Sequence, residues 1–394
     1  MARIVIAPDS FKGSLDAAAV AREIAEGWRL ERPDDEIVLL PLADGGEGTL
    51  DALAAASQGA ERMPVVVTGP DDRPHRAEWL LLPSSWRRGH SLGVVELANT
   101  SGIELLGEDL RPLEAHTLGF GEAILAALDH GVDELVLGIG SSASTDGGLG
   151  VLRALGAEFL DSRGEPVGLG AAGLLSLASV DLSGLRLPPA GGVTVLSDVS
   201  APLCGATGAA AVFGPQKGLE PNDVERVDEA LRAYADLLVG ALADAPRAGR
   251  GSPPPDPGWP GAGAAGGTGF GLLAWGARLV PGAGHVAAML GLAEHCAEAD
   301  LVITGEGRFD SQSLLGKVPG MVLDQAAETG RPVALIAGGI ADDAPRERFF
   351  EATALAELAP STERAIAEPE AYLREAASAT ARRLGTRLGG LSTR

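Results

Sequence analysis

The chain has 394 residues, 45% of them hydrophobic and 22% charged, a composition that suits a soluble globular protein long enough for two domains. Its formal net charge of −23 repels nucleic acid and anionic membrane, so neither is an expected partner, and a site for an anionic ligand must gather positive charge locally. Two distant cysteines and six histidines without HxxxH or HExxH spacing exclude a disulfide framework and a His-built metal centre.

Met1 leads straight into ARIVIAP (2–8), an apolar run that reads as a buried parallel strand, which leaves no room for a signal peptide, and the two cysteines read as reduced thiols of a cytoplasmic protein. LDAAAVAREIAEGWRLERP (15–33) has helical spacing and stops at Pro33. EIVLLPLA (36–43) reads as a second strand and LDALAAASQG (50–59) as a second helix, the alternation of a doubly wound α/β layer. After Gly69 the texture changes to shorter strands in MPVVVTGP, RAEWLLLP and LGVVELAN, for which antiparallel or mixed pairing is expected. Residues 116–131 read as a helix ending at Gly131, 134–140 and 192–199 as strands, and 223–243 as an amphipathic helix. A Pro/Gly-rich surface loop is expected at 245–260. The α/β rhythm then returns with strands at 300–307 and 332–340 and helices at 319–330 and 372–389. The spacing predicts a discontinuous α/β domain, 1–70 plus 296–394, with a second α/β domain of mixed sheet, 71–295, inserted in it.

Four loops leave the carboxyl ends of these strands, where open α/β sheets bind ligands. They run from Asp9 through Ser10 and Lys12 to Ser14, from Asp44 through Glu47 to Thr49, from Ser141 through Ser142, Thr145 and Asp146 to Gly148, and from Gly305 through Glu306, Arg308, Asp310, Gln312 and Ser313 to Lys317. Each mixes carboxylates, hydroxyls and glycines, so backbone N–H groups can approach an anion while Asp and Glu hold Mg²⁺ or accept a proton. The plainer reading of Ser14, Asp51 and Ser313 is that they cap the next helix. Only three of the 31 basic residues are lysines, Lys12, Lys217 and Lys317, and each adjoins a glycine. A compact ammonium in a glycine-rich loop suits a phosphate oxygen. No GxxxxGK[ST] P-loop is present, and the GxGxxA stretch from Gly138 to Ala143 follows a strand but opens onto Asp146-Gly147-Gly148, not a clean helix start.

Taken together, the blocks APDSFKGSL, PLADGGEGT, GSSASTDGG, SDVSAPLCGATGAAAVFGPQKG, GAGAAGGTGFGL and DLVITGEGRFDSQSLLGKVPG, in this order over positions 7–320, resemble the type I glycerate kinase family. The chain departs from the family pattern at Thr145, Ser197 and Ala201. The resemblance implies a Rossmann-like doubly wound domain interrupted by a second α/β domain, and ATP- and Mg²⁺-dependent phosphorylation of D-glycerate, usually to 2-phosphoglycerate. The active site is expected in the cleft between the domains. There Lys12 and Lys217 are assigned to phosphate or to the glycerate carboxylate, Arg308 to the carboxylate, and Asp198 to the base that orients the attacking hydroxyl, with Asp310 and Asp9 as alternatives. Asp198 and Asp44 are the expected Mg²⁺ ligands, Asp44 and Glu47 are candidates for Mg²⁺ or substrate hydroxyl contacts, and Ser142, Thr145, Asp146 and Gln216 are expected to hold nucleotide or glycerate. Three competing readings stay open: a kinase for another small hydroxy acid or polyol, a nicotinamide-dependent oxidoreductase using the Gly138 segment, and an inactive sugar-acid sensor. The sequence leaves monomer or homodimer open.

Overall fold

The computed structural model describes residues 1–87, 89–244, 254–314 and 316–391. The chain folds into two compact units, one of Met1–Asp44, Asp51–Gln58 and Ala283–Arg394, the other of Gly45–Leu50 and Gly59–Gly282. The fold is mixed α/β, with one parallel and one mixed sheet.

In the first unit the short apolar runs RIVI, LVIT and VALIA become strands Arg3–Ile6, Leu301–Thr304 and Val333–Ala337. Strands buried on both faces need continuous rather than alternating hydrophobicity, which is how these three read. Glu351–Ala354 flanks Val333–Ala337, and Glu36–Leu39 flanks Arg3–Ile6, completing a five-stranded sheet in which every pair is parallel. One face is covered by helix Ala17–Glu31, which starts where the Asp16 carboxylate accepts the Ala19 N–H at 2.6 Å, and by helix Pro369–Leu391. Val20, Ile24 and Trp28 of the first helix meet Leu373 and Ala377 of the second in one core with Ile4, Ile6 and Ile303. Gly27 lies where a Cβ would sit 2.2 Å from the Arg374 carbonyl oxygen, so these helices approach too closely for any side chain.

The sheet order places Arg3–Ile6 and Leu301–Thr304 side by side, with the chain running outward from them in opposite directions. Their ladder continues past the strand ends: Ala7 N–H donates to Ile303 at 2.7 Å and Asp9 N–H to Gly305 at 2.8 Å. Leu42 N–H donates to Pro8 at 2.9 Å, drawing the segment that ends at Asp44 to the same edge. Beyond them Arg308–Phe309 pairs in parallel with Gly339–Ile340. The loops after Arg3–Ile6, Glu36–Leu39, Leu301–Thr304 and Val333–Ala337 thus leave one carboxyl edge together.

The second unit is built on a six-stranded sheet in the order Arg278–Val280, Val193–Leu196, Glu134–Gly138, His90–Glu96, Pro74–Arg87, Glu61–Thr68. The first three pairings are parallel and the last two antiparallel, so the change of texture after Gly69 marks a mixed sheet. Helix Leu118–His130 stops at Gly131, whose φ of 90° lets its N–H reach the Ala127 and Leu128 carbonyls. Residues 245–253 of the Pro/Gly-rich stretch lie outside the described residues. From Pro254 onward it is anchored, with the Pro257 carbonyl accepting the Leu203 N–H at 2.8 Å. Among the described residues no helix is long and apolar enough to cross a membrane.

Candidate active site

At the carboxyl edge of the parallel sheet, the first unit encloses a pocket of about 510 Å³. Asp9, Ser10, Lys12 and Ser14 line it from the first loop, Asp44 from the second, and Glu306, Arg308, Asp310 and Lys317 from the fourth. The first loop closes on itself, with Phe11 N–H donating to Leu15 and Ser14 N–H to Phe11, both at 2.8 Å. Gly13 at φ +74° makes that turn possible, and Lys12 and Ser14 are left exposed.

The electrostatics are those of crowded carboxylates among cations. Burial pushes the Asp9 carboxyl up to about 7, the Asp44 carboxylate and Glu306 add to the rise, and the Ser10 N–H and Lys12 oppose it. Glu306, 7% exposed, is raised above the usual range by burial first, against the Ser313 hydroxyl, Lys317 and Lys12. Its Oε1 is buried with no hydrogen-bond partner. Ser313 also organises the loop, with its Oγ accepting from the Asp310 N–H at 3.0 Å.

The remaining expected residues belong to the second unit, apart from Gln312, which is exposed in the first. Asp146 is fully buried and accepts from Thr117 N–H at 2.9 Å, Thr117 Oγ at 2.8 Å, Gly148 N–H at 3.0 Å and Gly150 N–H at 3.2 Å. It thereby ties the entries of two helices, Leu118–His130 and Leu149–Ala154, to one carboxylate. Lys217, 4% exposed, donates to Ser142 Oγ and to the Ser144 carbonyl, both at 2.6 Å. Burial pushes its ammonium down to about 7 against the pull of Asp146. Thr145 Oγ1 is buried without a partner. Asp198 stands exposed beyond strand Val193–Leu196, with Oδ1 accepting the Gly282 N–H at 2.9 Å. Glu47 and Gln216 are exposed. The glycines of the Gly138 segment serve close chain packing: a Cβ on Gly138 would meet the Gly45 carbonyl at 2.8 Å, and one on Gly140 the Gly46 Cα at 2.5 Å. Both cysteines are free, and burial pushes each thiol up to about 11, which keeps them protonated at neutral pH.

The profile of the Glycerate kinase family matches residues 4–385. The chain belongs to the glycerate kinase family. Escherichia coli glycerate 2-kinase is 43% identical over 346 residues, 86% of each chain. The glycerate kinase of Neisseria meningitidis is 34% identical and covers 95% of this chain and 97% of its own. A crystal structure from Salmonella typhimurium LT2, described as a candidate glycerate kinase 2, superposes with a TM-score of 0.82 at 39% identity, covering 98% of this chain and 99% of that one.

Within this glycerate kinase family member, sequence reasoning missed one side of the pocket. Gly338, Gly339, Leu355, Thr362, Ala365, Ile366 and Pro369 also line it, from the last strands and the short helices Leu355–Leu358 and Thr362–Ala367. None carries a charge or a motif. The available signal was the AGGI that ends strand Val333–Ala337 at the same edge as the other loops.

Proposed function

We propose that the chain transfers the γ-phosphoryl group of ATP to D-glycerate, giving 2-phosphoglycerate. The reading is carried by the convergence of Lys12, Arg308 and Lys317 with Asp9, Asp44 and Glu306 in one pocket, in a chain of −23 whose family acts on an anion. The Rossmann-like character of the parallel-sheet unit belongs to the same proposal. It is supported by the reversal of chain direction beside Arg3–Ile6, where such sheets hold nucleotides.

Phosphoryl transfer asks a protein for in-line placement and for charge neutralisation more than for covalent chemistry. Lys12 and Lys317 supply point charges to phosphate oxygens, and Arg308 presents a fork that matches a carboxylate. The donor set also suits a hard cation, since Mg²⁺ commonly takes one or two carboxylates and completes its shell with phosphates and water. Asp9 and Asp44 repel each other, and Glu306 Oε1 lacks a partner, as expected of oxygens that a cation would satisfy. Asp44 and Asp9 would hold Mg²⁺, whose chemistry is to neutralise charge on the phosphoryl oxygens. In the second unit, Lys217 and Asp146 hold the Ser142–Gly148 loop in shape. Asp198, oriented by the Gly282 N–H, is assigned the proton of the attacking hydroxyl.

Phosphorus NMR of D-glycerate with Mg·ATP tests the reading, with 2-phosphoglycerate as the expected product. No phosphorylated product removes the proposal, and 3-phosphoglycerate alone corrects its regiochemistry. Asp198→Asn is expected to lower kcat by on the order of a hundredfold, and unchanged turnover removes that role.

A further inference from the structure

We infer that the uncharged side of the first unit's pocket is the platform for the nucleobase of the phosphoryl donor, so that base and phosphates share this one cavity. The inference rests on the kinase reading and adds a subsite to it.

Three observations carry it. The first is size. A pocket of about 510 Å³ lies within the roughly 300–1,000 Å³ that hold drug- or nucleotide-sized ligands. It far exceeds what a three-carbon acid fills. The second is the division of its lining. The loops at the sheet edge supply the charged groups already described, whereas on the other side Ile366 presents an exposed apolar side chain backed by the buried Phe11, Leu355, Ala365 and Pro369. Every carbon of glycerate carries oxygen, so it has no apolar surface to lay on such a face, and its hydroxyls would lose water there without replacement. A nucleotide has both halves: polyanionic phosphates and a flat base that buries its π-face against apolar side chains. The third is how the face is built. Phe11, Leu355 and Ala365 belong to the unit's own core, so the surface is formed before any ligand arrives. Ile366 stands on it 61% exposed, one of the few large hydrophobic side chains left that open. Its carbonyl accepts the Ser14 hydroxyl at 3.2 Å, which couples the apolar face to the loop that bears Lys12.

Ile366→Asn tests the inference, because it removes the apolar contact without adding charge at an exposed position that folding tolerates. Calorimetric titration of wild type and variant with Mg·ADP and with inorganic triphosphate separates the base from the phosphates. The expected result is ADP binding weakened by on the order of tenfold, with triphosphate affinity and KM for glycerate unchanged. Unchanged ADP affinity, or equal weakening of ADP and triphosphate, overturns the assignment of this face. If wild type turns over glycerate and Mg·ATP while the variant keeps the same KM for ATP, the subsite fails and the kinase reading stands. If wild type neither binds ADP nor transfers phosphate, both fail.

Discussion

At Asp9, burial and the Asp44 carboxylate push the carboxyl up to about 7 from its ordinary value of 3.8. The folded chain therefore holds a proton between those values that the unfolded chain releases, and stability falls as pH rises through that window. Asp9→Asn removes the ionisable group. Its unfolding free energy should match that of wild type near pH 4 and exceed it by up to about 4 kcal/mol above pH 7, while phosphoryl transfer falls. Urea titrations at the two pH values check this, and a constant offset between the curves contradicts it. Lys217 runs in the opposite direction. Burial lowers its ammonium from 10.5 to about 7, so between those values the unfolded chain carries a proton that the folded one lacks. Stability gains from this group as pH rises, with a limiting slope of about 1.4 kcal/mol per pH unit. Wild type should therefore gain on Lys217→Met between pH 7 and 9.5, and parallel stability curves would show that the ammonium stays charged. The two residues also differ in how far they could be read in advance. Asp9 and Lys12 follow a strand whose apolar run is plain, so their place at a sheet edge was legible. Lys217 reads as a contact for phosphate or the glycerate carboxylate because it adjoins Gly218, whereas its hydrogen-bond partners, Ser142 and Ser144, lie more than seventy residues away, and no local signal reports a hydrogen bond over that span.

Elements announce themselves when their environment is one-sided or uniformly buried in a familiar length. Helix Ala17–Glu31 carries its apolar stripe and its Asp16 cap in sequence, and the parallel strands carry their apolar runs. Helix Thr268–Trp275 does neither. It is buried on nearly every side, and it contains Gly269 and Gly271 because a Cβ there would meet the Gly261 carbonyl at 2.2 Å or the Gly147 carbonyl at 2.6 Å. With no polar face there is no period to detect, and glycine argues locally against a helix. The apolar wall of the pocket was hidden for another reason, since helices of four and six residues give too short a window for any pattern. Packing of paired elements makes its own prediction at Gly27. A Cβ there collides with the backbone of helix Pro369–Leu391 at Arg374, and backbone cannot rotate away as a side chain does. Gly27→Ala should gain about 1 kcal/mol in intrinsic helix preference and lose about 2–4 kcal/mol in displaced packing, so the net is destabilising. Chemical denaturation measures it, and a variant as stable as wild type would mean that the helices part at little cost.

Over the whole molecule, 54 acidic residues face 31 basic ones, yet the proposed substrates are anions. Two electrostatic effects compete, and they act at different ranges. The net charge of −23 is spread over the surface and repels ATP and glycerate from a distance. Lys12, Arg308 and Lys317 attract them from within a few ångströms once they enter the pocket. Salt separates the two because the screening length falls from about 30 Å at 0.01 M to about 10 Å at 0.1 M and about 3 Å at 1 M. Between 0.01 and 0.1 M, screening removes mainly the long-range repulsion, so kcat/KM for glycerate should rise about two- to threefold. Above 0.1 M the screening length approaches the dimensions of the pocket and weakens the local attraction, so kcat/KM should fall again by several-fold towards 1 M. The expected profile has a maximum near 0.1–0.2 M when free Mg²⁺ is held constant and in excess. Lys12→Gln should reduce the falling limb and leave the rising limb in place, since one lysine changes the overall charge very little. A monotonic fall from 0.01 M would mean that the pocket's cations outweigh the rest of the surface at every range.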